Sequence, residues 1–374
     1  MHQPEASAEA PRHLLELEIP ALRADQLREF TMESLRARQI GELDLPNAIN
    51  TVLGYKGGPI LAADIGGDSV GVGLVRMLDN KAFASTELLA EVKSTDGVGY
   101  LDELARAAQY SRANGLKVGI SYAGMTEGSK PVTGANVDIF LRELRSPAYQ
   151  GDFRVLFPTL AALHNDAPAG LMSGALRAYL MDPQTTNVIY LINGSGLGGA
   201  VLADGKLYAI EPGHVAVNTA LNPCGQQEPC LLEPGDNFVC IEKVAATKAG
   251  VENIWYQKTG QKLTGKQIED KILDVGATAE ERELALRLYG NSSLLAAHTV
   301  AGIAQTFGIK LDSPSTIVVA HGGCFKFDDY SKRVMAVLAQ HVGVEPRLLR
   351  TNSYGNACLE GAAIGAVLEL AQDA

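Results

Sequence analysis

The feature that most constrains this chain is a set of three short strands followed by alternating helix and strand, and the set occurs twice. Ile60 to Ile65 is an apolar run ending in glycines, the pattern of a buried strand. Val70–Met77 and Phe83–Val92 read as the next two strands. Tyr100–Arg112 reads as a helix opening beside Asp102 and Glu103, and Leu116–Ser121 as another strand. Further on, strands are expected at Arg154–Phe157, Asn187–Ile192, Gly199–Leu202 and Thr316–Ala320. Helices are expected at Ala167–Leu180, Asn237–Ala249, Ala279–Phe307, Tyr330–His341 and Asn356–Leu370. A double set of this kind predicts two α/β lobes. With 374 residues and 46% hydrophobic side chains, the chain is long enough to fill two cores.

Residues 1–57 stand apart. Their apolar positions, such as Leu22, Leu27, Phe30 and Leu35, are spaced as on surface helices, so an N-terminal helical extension is expected. The segment is net acidic, which is unlike a DNA-reading module. The whole chain carries 32 basic against 43 acidic side chains, net −11, and lacks the footprint of a nucleic-acid binder. No run of about 18 apolar residues suggests a membrane span. The first ten residues lack the basic start and apolar stretch of a secretory signal, so the expected compartment is the cytoplasm. Five cysteines, an odd number, fit reduced thiols or a metal site better than a disulfide framework.

Five short motifs carry the chemistry. Asp64-Ile65-Gly66-Gly67-Asp68-Ser69 follows a strand; its glycines let backbone amides face an anion, and an aspartate at a strand end can hold Mg²⁺ through water. It also reads as a plain hairpin turn. Asn193-Gly194-Ser195-Gly196-Leu197-Gly198-Gly199 has more glycine than a hairpin needs and suits phosphate oxygens. His164-Asn165-Asp166 lies between a strand and a helix, where Asp166 is either a helix cap or a general base. Glu211-Pro212-Gly213-His214 precedes Cys224, Cys230 and Glu233; thiolates and imidazole are natural zinc ligands, but only three are present where a closed site takes four. Ala320-His321-Gly322-Gly323 ends a strand in a turn that could seat an adenosine.

In order and spacing, these motifs resemble the ROK family (repressors, open reading frames and kinases) of the hexokinase/actin-like superfamily, over about Ile60 to Leu370. The resemblance implies a two-lobed actin/hexokinase-like, ribonuclease H-like α/β fold with a ligand cleft between the lobes. Residues 58–165 with 358–374 would form the small lobe and 166–357 the large one. It implies a glucokinase-like site: Asp166 as catalytic base; Asn165, Glu211, His214 and Glu233 on the acceptor; Asp64, Gly66, Gly67, Ser69, Gly194, Ser195, Gly196, Gly322 and Gly323 on ATP and Mg²⁺; and His214, Cys224 and Cys230 as candidate zinc ligands. Family members are often dimers, which implies a homodimer.

Two departures stand out. The family's first turn has threonine where this chain has Asp68, whose carboxylate would repel a phosphate, so that either Ser69 takes over, or Asp68 points away, or nucleotide use is altered. Gln226 stands where the family has a cysteine, and Cys230 is displaced by one position. The implied activity is ATP-dependent phosphorylation of a hydroxyl on a hexose or N-acetylhexosamine. A C7-cyclitol kinase and a non-catalytic sugar-sensing regulator are the alternatives.

Overall fold

The structure is a computed structural model that describes residues 13–17, 29–78, 83–94, 97–134, 137–218, 238–343, 345–351 and 356–372. A 3-10 turn at Leu14–Glu16, strand β1 (Arg38–Glu42) and helix α1 (Leu45–Gly54) come first. Strands β2 (Ile60–Ile65), β3 (Ser69–Met77) and β4 (Ala84–Lys93) lead to α2 (Tyr100–Asn114) and β5 (Val118–Tyr122). A small hairpin of β6 (Thr126–Glu127) and β7 (Lys130–Pro131) comes next, then α3 (Asp138–Leu144), α4 (Phe153–Leu156), β8 (Leu160–Asn165) and α5 (Asp166–Met181). The second half begins with β9 (Asn187–Asn193), β10 (Leu197–Ala203), β11 (Lys206–Ile210) and the short pair β12 (Ala216–Asn218) and β13 (Phe238–Cys240). Helix α6 (Glu242–Ala245) leads through a π-helical turn (Thr247–Glu252) into α7 (Asn253–Thr259), α8 (Gly265–Leu273) and the long α9 (Ala279–Thr306). The chain ends with β14 (Thr316–His321), α10 (Asp328–Val342), β15 (Leu348–Arg350) and α11 (Ala357–Gln372).

The strands form two large sheets built on one plan. The five-stranded sheet runs β4-β3-β2-β5-β8, an antiparallel meander of three strands with β5 and β8 added in parallel. The six-stranded sheet runs β1-β11-β10-β9-β14-β15, again a meander extended by two parallel strands. The turn between β2 and β3 therefore corresponds to the turn between β9 and β10. Helix α5, after β8, corresponds to α11, after β15.

Helices α5 and α11 pack together between the two sheets, α11 against β2, β5 and β8 and α5 against β9, β10 and β14. Their close approach depends on glycine: a Cβ on Gly361 would lie 1.7 Å from the Ala169 carbonyl oxygen. The core divides accordingly. One cluster, with Tyr100, Phe140 and Phe153, lies under α2, α3 and α4. A second fills the space between the sheets around α5, α11 and α1. A third, with Trp255, Tyr289, Phe325 and Tyr330, lies on the outer face of the large sheet. Among the described residues, no helix is long and apolar enough to cross a membrane.

Three expectations are corrected. Residues 1–57 are not wholly helical: β1 pairs antiparallel with β11, Arg38 opposite Ala209, and forms an edge of the large sheet. All five β1 residues are exposed, so the strand has no alternating apolar signature. Residues 154–157 are not a strand. Asp152 accepts the Arg154 N–H at 2.8 Å and caps the single turn α4, and the strand comes after Pro158, as β8. The helix expected over 237–249 is instead β13, α6 and the start of the π-helical turn; Asn237 lies outside the described residues.

Candidate active site

Asp64 sits near the end of β2, and both of its carboxylate oxygens are engaged. Oδ1 accepts from Ser121 Oγ of β5 at 2.8 Å and Oδ2 from Asn356 Nδ2 at 3.0 Å. Asn356 Oδ1 accepts the N–H groups of Cys358 at 3.0 Å and Leu359 at 3.1 Å. One carboxamide thus caps α11 and fixes Asp64. Burial raises the Asp64 pKa, and the two hydrogen bonds oppose that rise.

Asn165 and Asp166 lie at the junction of β8 and α5. Asn165 is the N-cap: its Oδ1 accepts the Ala167 N–H at 3.1 Å, and its Nδ2 donates to the Gly124 carbonyl at 3.0 Å. Asp166 is the first helical residue, and its Oδ1 accepts the same Ala167 N–H at 2.8 Å. Burial, with the charges of Asp64 and Glu211 nearby, pushes its carboxyl up to about 7. The isolated positive end of a helix would favour the carboxylate; desolvation and the neighbouring acids outweigh it here.

Glu211 lies after β11, and its carboxyl is also pushed up to about 7, by burial and then by Glu242, against the lowering effect of Arg36 and Arg38. The segment before β1 supports this residue directly: the Leu35 carbonyl accepts the Glu211 N–H at 2.8 Å. His214 Nδ1 lies 4.0 Å from Glu242 Oε1 and 3.9 Å from the Sγ of Cys240, which is disulfide-bonded. Glu242 also faces the second glycine turn, since a Cβ on Gly196 would lie 3.3 Å from its Oε2. Sequence reasoning missed Glu242, Ser121 and Asn356. Asn356 carried a readable signal, an asparagine directly before a helix. Glu242 did not, because it comes after β13, where a continuous helix was expected.

The two glycine turns use part of their own backbone. The Gly66 N–H donates to the Ser69 carbonyl at 2.9 Å, and the Gly194 N–H donates to the Gly196 carbonyl at 3.0 Å. Those two amides, expected to face phosphate, are engaged inside the turns. The Gly194 and Ser195 carbonyls accept the N–H groups of Thr247 at 2.8 Å and Ala249 at 3.3 Å, so the second turn is tied to the π-helical turn. Between those two residues, Lys248 forms an ion pair with Asp68 of the first turn. Gly322 has φ +100°, and a Cβ there would lie 2.2 Å from the Asn193 carbonyl oxygen, so β14 meets the second turn through glycine alone. Gly323 opens the short 3-10 turn Cys324–Lys326.

The structure thus brings Asp64, Asp166, Glu211 and His214 together with both glycine turns. Glu233, Cys224 and Cys230 lie outside the described residues. Among the described residues, no group of three His, Cys, Asp or Glu side chains could hold a metal ion directly, so those residues alone do not make a zinc site. A magnesium ion fits differently. Asp64, Asp166, Glu211 and Glu242 concentrate negative charge, and a hard cation held through water and oxygen ligands offsets such a cluster.

A sequence model of the ROK family matches residues 64–369. No curated protein matches the chain. Similar solved structures include a ROK family glucokinase from Streptomyces griseus in complex with glucose and AMPPNP, at 19% identity and TM-score 0.55, covering 82% of this chain and 98% of that one. A ROK hexokinase from Thermus thermophilus is 19% identical, with TM-score 0.51 and coverage of 84% and 99%. A glucokinase from Balamuthia mandrillaris in complex with glucose is 14% identical, with TM-score 0.60 and coverage of 86% and 98%. At these identities the likeness establishes the fold, an actin/hexokinase-like pair of α/β lobes.

Proposed function

The chain belongs to the ROK family, and from that premise we propose that it is an ATP-dependent kinase transferring phosphate to a hydroxyl of a hexose or N-acetylhexosamine. The observation that carries this reading is Asp166, a half-buried acid at the start of α5, pushed up to about 7 beside Asp64 and Glu211. A carboxyl with that pKa is part-deprotonated at neutral pH and still basic enough to take a proton, which is what a general base needs. A protein that only senses sugar gains nothing from it.

Phosphoryl transfer asks the protein mainly for positioning and charge stabilisation. Asp166 accepts the proton of the attacking hydroxyl on a carboxylate oxygen. Asn165 holds the start of α5 in place through its bonds to Ala167 and Gly124. Glu211, His214 and Glu242 form the wall that accepts and donates hydrogen bonds to ring hydroxyls, with Glu233 an additional contact expected from the family pattern. The two glycine turns flank the nucleotide phosphates, and the Gly322–Gly323 turn lies beside the second of them. Asp64, braced by Ser121 and Asn356, would hold Mg²⁺ through water. When bound with the nucleotide, that ion offsets the charge on the phosphate oxygens. Closure of the two lobes over the bound substrates would limit transfer to water.

The test is ATP-dependent phosphorylation by the purified protein across hexoses, N-acetylhexosamines and C7-cyclitols. Turnover on hexoses or N-acetylhexosamines, lost in Asp166→Asn, is the expected result. Turnover on cyclitols alone moves the acceptor class. Sugar binding with no turnover on any acceptor replaces the kinase with a sensor.

A further inference from the structure

Asp68 stands in the first glycine turn, between β2 and β3, as a second acid only four residues from Asp64. Its carbonyl accepts the Ser94 N–H at 3.0 Å, which fixes the turn against the end of β4. A polyphosphate chain lying between the two glycine turns would meet this carboxylate. The structure supplies the compensating charge from the other half of the molecule. Lys248 is held to the second turn by its neighbours Thr247 and Ala249, while its ammonium reaches across to Asp68. The side chains of Lys248 and Asp68 are 33% and 39% exposed, so the pair is open to solvent and to an incoming anion.

Resting on the kinase reading above, we propose that Lys248 is the phosphate-recognising cation of this site: it neutralises Asp68 and donates to the terminal phosphate oxygens of a nucleoside triphosphate bound between the two glycine turns. An ammonium carries three donors and no acceptor, so it can hold a carboxylate and a phosphate oxygen together. The half-exposed pair is weak enough to rearrange when the phosphate arrives. Asp68 then tunes the lysine rather than destroying the site, and the departure from threonine in the first turn is matched by a cation in the second half.

The experiment measures binding of Mg·AMPPNP by titration calorimetry to the full chain and to Lys248→Met, Asp68→Asn and the double variant, with glucose binding and thermal melting as controls. Lys248→Met is expected to weaken nucleotide affinity about tenfold, the scale of one half-screened charge contact. Asp68→Asn is expected to tighten it, because the lysine is freed for phosphate. The double variant should fall between the two, and glucose affinity and melting temperature should hold. Equal affinity in the wild type and Lys248→Met overturns the proposal and leaves the kinase reading intact. So does weaker binding in Asp68→Asn, which would make Asp68 itself a nucleotide or metal contact. A wild type that binds no Mg·AMPPNP overturns both readings. If Lys248→Met melts early, Lys248→Arg, which keeps the charge, must bind nearly as the wild type does.

Discussion

The two halves run through the same meander, the same pair of parallel strands and the same closing helix, and both closing helices are capped by asparagine. Asn165 caps α5 and Asn356 caps α11. The residue after each cap differs. After Asn165 comes Asp166, which is half-buried, pushed up to about 7, and engaged with an N–H of its own helix. After Asn356 comes Ala357, and the spare carboxamide hydrogen goes to Asp64 on the neighbouring strand. The helix pair holds a further acid, Glu360 of α11, only 2% exposed. Its Oε2 accepts from Arg177 at 2.6 Å and from Ser173 Oγ at 3.0 Å, both on α5. A carboxyl therefore plays two parts along one helix pair. At the start of α5 it is the acid proposed above as the base, and in the first turn of α11, with a guanidinium of α5 to meet it, it joins the halves.

The sharpest way to break that contrast is Asp166→Asn. If the acid at the helix start is the base, turnover should fall about 10²–10⁴-fold while acceptor affinity changes little. Steady-state kinetics on the preferred sugar reads this directly, and near-normal turnover removes Asp166 from the role. The buried pair should show itself in stability instead. Arg177→Met leaves Glu360 buried without its cationic partner, with only the Ser173 hydroxyl to meet it, and should cost about 3–5 kcal/mol of folding stability in a denaturant titration. The protein that remains folded should keep a turnover within a few-fold of the wild type. A large loss of turnover at unchanged stability would mean that the pair belongs to the site.

The same contrast predicts opposite trends with pH. If Asp166 is the base, activity needs its carboxylate, so kcat/KM should rise through about pH 7, and that limb should vanish in Asp166→Asn. Stability runs the other way. The folded pKa values of Asp166 and Glu211 lie above those of an unfolded chain, so their contribution is fully present below about pH 4 and is lost as pH rises through about 7. Asp166→Asn should therefore melt higher than the wild type at pH 8, with the gain shrinking toward pH 4. A melting difference independent of pH would argue that the carboxyl is not destabilised in the fold.

How much of this was legible in the sequence depends on where each signal resides. Strand Ile60–Ile65 was readable because it is buried on both faces and is apolar but for Asp64 as it runs into two glycines. Strand β1 was not, since it lies on a sheet edge with every residue exposed. The turn at Phe153–Leu156 looked like a strand because Val155, Leu156 and Phe157 are apolar in sequence, and only the Asp152 cap distinguishes it. Asp64, Asp166, Glu211 and the glycine turns were found because each sits in a local pattern. Lys248 and Glu242 were missed because their meaning is relational: Lys248 meets Asp68 across 180 residues of chain, and Glu242 meets His214 across a segment that no periodicity describes.

The smallest predicted effect compares the two caps. Each asparagine accepts backbone N–H groups at a helix start, so replacing either with alanine should cost about 1 kcal/mol from the cap alone. The two changes should part in their effect on chemistry. Asn165→Ala also frees the Gly124 carbonyl, which is tied to the residue next to Asp166, and should act mainly on acceptor KM. Asn356→Ala removes one of the two hydrogen bonds that counter the raised pKa of Asp64. Asp64 should then keep its proton to higher pH, and the Mg²⁺ concentration needed for half-maximal turnover should rise, most clearly at acid pH. Equal magnesium dependence in the two variants would mean that the Asn356 contact to Asp64 serves only packing. A shift confined to Asn356→Ala would show that the second half repeats the first in topology while its cap has been given to the metal-facing acid.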